Sequence, residues 1–398
     1  MGARLEKEYQ KLLVSKDGEV LLAVPLAQVS AVVLIGNVGV TTPALNFLLE
    51  QGVELTLLNS AGKLRGRLVG AHARNLALRQ AQYTRAADAA FCLALSRAVV
   101  QGKLQNYQTL CLRLARAREA DAMRQAADAL SKHIGLATEA ADLATLRGVE
   151  GSGSKIYFSV LRDALRRGAE DSNPEETAPQ RSDGRDVVAQ RLYDYANAAS
   201  PTATAQQGAA EAADQPTKPS INQATQRPAN QATRRLSDQA PPMGFEKRAR
   251  RPPPDPINAM LSLGYTLLTE NLYAALTIVG LDPHNGFFHA DAYGRPALAL
   301  DLVEEFRGIV ADSVVLTLVN KRMVDEHDFE PSEDGGVRLK DHALRRFLRQ
   351  YHQRLQTEVI HPLVGRRLTY QKCFEVQARL LRKVIEGSAA EYLPFRTR

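Results

Sequence analysis

The sequence predicts an α+β protein with a small N-terminal β-rich domain followed by a larger all-helical C-terminal domain, interrupted by a disordered insertion. Three observations predict it. Up to about residue 72 the chain is a series of short apolar runs broken by turn residues; beyond residue 73 it shifts to long amphipathic stretches rich in Ala, Leu, Arg and Gln; and residues 168–251 are dominated by Ala, Gln, Asn, Thr, Pro and Ser. Short apolar runs between turn signals read as strands, and a helical period with good helix formers reads as helix. A polar, Pro-containing stretch buries too little apolar surface to offset the entropy of ordering it. The expected divisions are therefore 1–72, 73–167, 168–251 and 252–398.

In chain order, KLLVS, EVLLAVPL, VSAVVLIG, VELTLLN and KLRGRLV are the strand candidates. Thr41-Thr42-Pro43-Ala44 opens one short helix that ends at Gly52, with a capping hydroxyl and a proline at the start and a glycine at the end. The helical stretch from Leu76 continues through LRGVEGSGSKIYFSVLRDALRRG. Within the insertion, residues 187–199 have the pattern of a short helix. Helical periodicity resumes with PINAMLSLGYTLLTENLYAALTIVGL and RPALALDLVEEFRGIVADSVVLTLVNKRMV. A β-hairpin is expected around Gly335-Gly336, then two helices over HALRRFLRQYHQRLQTEVI and TYQKCFEVQARLLRKVIEG.

With 44% hydrophobic residues in 398, the chain can bury ordinary cores, and its net charge of +7 points to an acidic partner, nucleic acid first. Cys92, Cys111 and Cys373 are odd in number and far apart, which excludes a disulfide framework and a cysteine metal motif. The N-terminus carries charges where a secretory signal needs an apolar core, and no apolar run approaches the ~20 residues of a membrane span, so a cytoplasmic protein without membrane contact is expected.

Two places carry candidate chemistry. Glu150 shares a helical face with Leu146, Gly153, Tyr157 and Val160, and a carboxylate on such a face needs either a salt-bridge partner or a bound cation. In HADAYGRPALALDLVEEF, Asp301 and Glu304 stand three apart on a helix, with His289 on the preceding loop and His284 and Asp291 as competing ligands. One imidazole among carboxylates suits Mg²⁺ or Mn²⁺, ions that stabilise charge on a phosphoryl oxygen and activate a hydroxyl. Solvated helix faces and loop caps give the same pattern. No phosphate-binding GxxxxGK[ST] loop is present, consistent with a phosphodiester exchange that needs no nucleotide.

The stretches SAVVLIGNVGVTTPALNFLLEQGVELTLLN, LRGVEG with Tyr157-Phe158, PPDPINAMLSLGYTLL, GLDPHNGFFHADAYGRPALALDLVEEFR and YQKCFEVQARLLRKVI together resemble the CRISPR-associated integrase/endonuclease of spacer acquisition. They cover most of the chain outside the insertion. The resemblance implies a metal-dependent enzyme that inserts protospacer DNA into a CRISPR array by 3′-hydroxyl attack on a phosphodiester. It further implies a metal site and catalytic set at Glu150, His289, Asp301 and Glu304, holding Mg²⁺ or Mn²⁺. The partners it implies are double-stranded DNA of protospacer and repeat, a second copy of the chain in a homodimer, and a small ferredoxin-like CRISPR-associated protein bridging two dimers. Lys63, Arg65, Arg67, Arg74 and Arg79 are candidate phosphate contacts, because Lys and Arg neutralise the backbone without reading sequence. Tyr83 and Tyr265 read as core residues in preference to base-stacking ones. A structural DNA-binding subunit with a vestigial metal site is the alternative. The insertion at 168–251 is the departure from the family pattern, where a much shorter loop is expected.

Overall fold

The computed structural model describes residues 3–29, 31–59, 64–68, 70, 75–118, 120–170, 243–249, 252–289, 294–332 and 335–397. The expected insertion, with its helix at 187–199, lies almost wholly outside them, as do Lys63, Arg74 and Asp291.

Two small sheets build the N-terminal part. Strands β1 (Arg4–Glu8), β2 (Lys11–Lys16) and β3 (Glu19–Pro25) form an antiparallel meander. The turn between β2 and β3 places Asp17 and Gly18 at φ of 50° and 87°, the positive values that tight hairpins require and that Asp-Gly supplies. Strands β4 (Ala31–Ile35) and β5 (Gly39–Val40) follow, with β5 parallel to β1 at the edge of the first sheet. Helix α1 (Thr42–Glu50) starts on the Thr41 hydroxyl, which accepts from the Ala44 N–H, and ends at Gly52, where φ is +67°. In the second sheet β6 (Glu54–Leu58) lies between β4, parallel, and β7 (Leu64–Leu68), antiparallel. Leu5, Leu12, Leu34, Phe47, Leu48 and Leu55 close the small core between sheets and helix. The strands missed in the sequence, β1 and β5, are respectively four-fifths charged (RLEKE) and only two residues long, so neither shows an apolar run.

The helical part comprises α2 (Leu76–Ala86), α3 (Ala89–Arg118), α4 (Asp121–Glu139), α5 (Leu143–Glu170), α6 (Pro256–Val279), α7 (Ala297–Phe306), α8 (Ser313–Asn320), α9 (Asp341–Gln356) and α10 (Tyr370–Ile385). Among the described residues no helix is long and apolar enough to cross a membrane. Helix α6 is the central one: its Asp255 cap and Pro256 fix its start, Gly280 in the left-handed region ends it, and most of its circumference is buried. Helices α3, α4 and α5 pack together, and α3 and α6 both pack on α7. The close approach of α5 to α3 depends on Gly153, where a Cβ would sit 2.6 Å from Leu104 Cδ2. Between α7 and α8 the helix widens into a π turn at Arg307–Asp312. The expected hairpin near Gly335 is present as β8 (Phe329–Pro331) with β9 (Val337–Leu339). The expected helix over HALRRFLRQYHQRLQTEVI is shorter than its periodicity predicts: it stops at Gln356, and β10 (Glu358–Ile360) pairs with β11 (Arg367–Thr369). The β-branched run Thr357, Val359, Ile360 followed by Pro362 accounts for the change.

The two parts are joined by a buried ion pair. Arg67 on β7 donates from Nε and Nη2 to both carboxylate oxygens of Glu270 on α6, at 2.9 and 2.7 Å, and its guanidinium lies over the Tyr273 ring. The Thr56 hydroxyl donates to the same carboxylate. Arg67 is thus a domain-joining residue, which corrects its expected role as a phosphate contact: a side chain this enclosed has no free face for DNA. Arg65, on the same strand, is exposed, and Arg79 is half-buried on α2.

Glu54 on β6 is buried beside this pair, one of its oxygens has no hydrogen-bond partner, and burial pushes its carboxyl up to about 7 despite a Thr277 hydrogen bond and Arg67. Between the ordinary value of 4.5 and about 7 the folded protein therefore holds a proton that the unfolded chain releases, so stability falls as pH rises through that window. Glu54→Gln, which cannot ionise, is expected to be more stable than the parent above pH 7, by up to about 3 kcal/mol, and to lose the advantage near pH 4.5. Urea midpoints of both proteins across this range check it.

Candidate active site

Four elements converge on the C-terminal half of α7: α5 carries Glu150, α3 carries Lys103, the loop 281–289 carries His289, and α7 carries Asp301 and Glu304, followed by Arg307.

The histidine loop is fixed from three sides. Gln82, fully buried on α2, donates to the carbonyls of Asp282 and Asn285 and accepts from the Asp282 N–H, each at 2.8 to 2.9 Å. Arg147, on α5 one turn before Glu150, donates to the Phe288 carbonyl at 2.7 Å. Asp301 takes the remaining donors. Its Oδ2 accepts from the N–H groups of Phe287 and Phe288, and its Oδ1 accepts from the N–H of His289 and meets the His289 ring at Nδ1, at distances of 2.7 to 3.1 Å. Four donors occupy both oxygens of a carboxylate that is 2% exposed. Asp301 therefore stands behind His289 and positions it, with both of its oxygens engaged by the loop. With Asp301 accepting at Nδ1, that nitrogen carries the ring proton and Nε2 keeps its lone pair.

That Nε2 faces Glu304, 3.7 Å from Oε1. Glu304 is buried, which raises its pKa, but the charges of Arg307 and then Lys103 outweigh burial and hold the carboxyl down at about 2. Arg307 Nη1 lies 3.4 Å from Oε1, and Lys103 Nζ lies 2.6 Å from Oε2. The second approach is an ion pair without hydrogen-bond geometry, and Glu304 Oε2 is left with no hydrogen-bond partner. On the other side of the same ammonium is Glu150 Oε1, in close contact with Lys103 Nζ and accepting from the Ser154 hydroxyl, one turn along α5, at 2.9 Å. Leu146, Gly153, Tyr157 and Val160 are buried around Glu150 as its helical face predicts, and Lys103 is the salt-bridge partner that such a carboxylate needs.

Lys103 thus lies between Glu150 and Glu304, and His289 Nε2 stands on the other oxygen of Glu304. With the side chains so placed, among the described residues no group of three His, Cys, Asp or Glu closes around one point as a finished metal site. The donor set nevertheless fits Mg²⁺ or Mn²⁺: two carboxylates, of which Glu304 has its Oε2 held only by the Lys103 ammonium, and an imidazole whose Nε2 faces Glu304. His284 is not part of it, since its ring nitrogens face the Tyr273 hydroxyl and the Arg295 carbonyl. Glu305 points away and accepts from the Tyr392 hydroxyl, the Gln377 amide and the Phe395 N–H of the C-terminal segment. Tyr265 is a core residue, bonded through its hydroxyl to buried Asp312, whereas Tyr83 is half-exposed and bonds Asp282.

The residues missed in the sequence are Lys103, Gln82, Arg147, Ser154 and Arg307. Lys103 had a signal: it falls on the buried face of α3 with Val99, Val100, Leu104, Tyr107 and Cys111, where a lone cation needs an anionic partner. Gln82 and Arg147 had none, because their partners are backbone groups some 140 to 200 positions away.

A model of the family described as "CRISPR associated protein Cas1" matches residues 1–181 and 190–353. The chain belongs to the Cas1 family. It is 33% identical to a CRISPR-associated endonuclease Cas1 of Thermus thermophilus, over all of this chain and 95% of that one. Its identity to a Cas1 endonuclease of Moorella thermoacetica is 32%, over 98% of this chain and 94% of that one. A Cas4 exonuclease/Cas1 endonuclease fusion of Rhodospirillum rubrum is 34% identical over 98% of this chain, which spans about half, 55%, of the fusion. Its fold is similar to that of a Cas1 protein from Thermotoga maritima, with a TM-score of 0.67 at 20% identity over 100% of this chain and 97% of that one. A casposase bound to its integration product gives 0.68 at 20% identity, over 98% and 91%.

The Asp301 network supplies a test of this Cas1-family site. Asp301→Asn replaces one acceptor oxygen with a donor that faces N–H groups, so the loop carrying His289 is expected to loosen, costing about 2–4 kcal/mol of stability. Thermal melting of wild type and variant checks it.

Proposed function

We propose that this protein is a divalent-metal-dependent DNA integrase/endonuclease that inserts protospacer DNA into a CRISPR array. The observation that carries the reading is that, in a Cas1-family chain, Glu150 and Glu304 from two helices meet across the buried Lys103 ammonium while His289 Nε2 faces the other oxygen of Glu304. Mg²⁺ or Mn²⁺ held by Glu150, His289 and Glu304 would supply a Lewis acid that activates the attacking 3′-hydroxyl or water and stabilises charge on the phosphodiester.

The chain's own residues prepare that chemistry. Asp301 holds the His289 proton on Nδ1 and leaves Nε2 available. Gln82 and Arg147 hold the loop so that the ring stays aimed at Glu304. Arg307 keeps Glu304 ionised and adds a positive charge where a phosphate would approach. Because one ester bond replaces another, no nucleotide cofactor is required.

Double-stranded DNA, a second copy of the chain and a small ferredoxin-like CRISPR-associated protein are the proposed partners, acting in the cytoplasm. Arg65 and Arg79 remain candidate phosphate contacts. Solved structures of similar fold include one described as a Cas6-RT-Cas1–Cas2 complex, of which this chain covers 35%, and this supports a shared assembly.

The test is strand transfer of a fluorescent 3′-hydroxyl duplex into supercoiled plasmid carrying repeat DNA, with Mg²⁺ or Mn²⁺ and the bridging partner. Wild type is expected to give joined product, and His289→Ala and Glu150→Ala none. Equal product from all three would reject this site, and DNA binding with no product from any would favour a structural DNA-binding subunit.

A further inference from the structure

Lys103 is the one component of the site that neither the sequence reading nor the proposed chemistry has used. Its side chain has no solvent exposure, and it enters from α3, behind the two carboxylates. A buried ammonium is tolerated only where anions surround it, and here it meets Glu150 and Glu304 from two different helices. Without it, the half-buried Glu150 and the buried Glu304 would approach each other with Arg307 as the one remaining permanent cation beside Glu304 among the described residues. The ammonium thus sits where the donor set would hold a divalent ion, and its contact with Glu304 Oε2 lacks hydrogen-bond geometry. One turn further along α3, the Tyr107 ring lies with its centroid 5.5 Å from Nζ, so the ring is the nearest group other than the carboxylates that attracts the charge.

We infer that Lys103 is the internal counter-cation of this site: in the metal-free protein it holds Glu150 and Glu304 together, and a divalent ion binds by displacing it. The inference rests on the proposed metal site. A lysine charge left within a few ångströms of a divalent ion is strongly repelled in a medium of low dielectric, so occupation by one disfavours the other. Lys103 is accordingly a positioning residue, and it sets the metal concentration at which the site assembles.

The test is Mn²⁺ binding by calorimetry and electron paramagnetic resonance, without DNA, for wild type, His289→Ala, Lys103→Gln and Lys103→Met. Lys103→Gln keeps a polar head that can bond both carboxylates and removes the charge. Both lysine variants are expected to melt lower than wild type without metal, to bind Mn²⁺ at least about tenfold more tightly, and to gain a larger upward shift in Tm on adding it. Unchanged or weaker Mn²⁺ affinity in Lys103→Gln, with wild type binding and His289→Ala not binding, would overturn the inference and leave the metal site standing. Equal binding by wild type and His289→Ala would remove the site and the inference together. A wild-type crystal grown in Mn²⁺ gives an answer independent of variant folding: Nζ is expected to have moved toward Tyr107, and Nζ still between the carboxylates beside a bound ion would overturn the displacement.

Discussion

Glu304→Ala is expected to reduce metal-dependent strand transfer by about 10³-fold or more, equivalent to about 4 kcal/mol at the transition state, while leaving a folded protein. Glu304 is the most committed member of the site: His289, Lys103 and Arg307 all approach its two oxygens, and the charges of Arg307 and Lys103 hold its pKa at about 2 although it is buried. No neighbouring carboxylate can take its place. Asp301, three residues earlier, is occupied by four donors, and Glu305, the next residue, is turned into the C-terminal segment. Glu304→Gln keeps the volume and loses the charge, so it is expected to be nearly as inactive. Single-turnover strand transfer at saturating duplex, with circular dichroism melts of the same preparations, separates lost chemistry from lost structure.

Arg67→Ala is expected to be the most destabilising single change outside the site, by about 3–5 kcal/mol, because it leaves Glu270 charged, buried and unpaired. The β-rich part is held against α6 by this bidentate pair, by Thr56 on the same carboxylate, and by the stacking of Arg67 on Tyr273. The effect is expected to extend to the site: the Tyr273 hydroxyl meets His284 in the loop that ends at His289, so loosening the β-rich part frees that loop. Double replacement of Arg67 by Met and Glu270 by Leu is expected to recover most of the stability, since removing both charges leaves none unpaired. Urea unfolding of the single and double variants measures the coupling.

How much of this was legible in the sequence follows the range of the interactions. Local signals read true: the Thr41 cap and Gly52 end of α1, the Asp255-Pro256 start of α6 and the hairpin at Gly335 are each written within a few consecutive residues. Strand β1 was invisible because its four charged residues carry no apolar pattern, and the end of α9 was misread because helical periodicity runs on into β10. In the site, the spacing of Asp301 and Glu304 showed that both reach one side of α7, but not that one turns to the loop and the other to α3. That division depends on where the N–H groups of Phe287, Phe288 and His289 fall, a consequence of how the loop is clamped. Arg67 was misassigned for a related reason: its charge was visible, and the carboxylate that neutralises it lies 203 positions away.

The central claim is that Glu150, His289 and Glu304 form the cation position and that Asp301 only aims the histidine. The most direct measurement is anomalous diffraction at the manganese edge from crystals grown in Mn²⁺. A single peak bonded to His289 Nε2, Glu150 and Glu304, with Asp301 still bonded to the loop N–H groups, is the predicted result. A peak bonded to the Asp301 carboxylate, or none among these residues at saturating Mn²⁺, would contradict it.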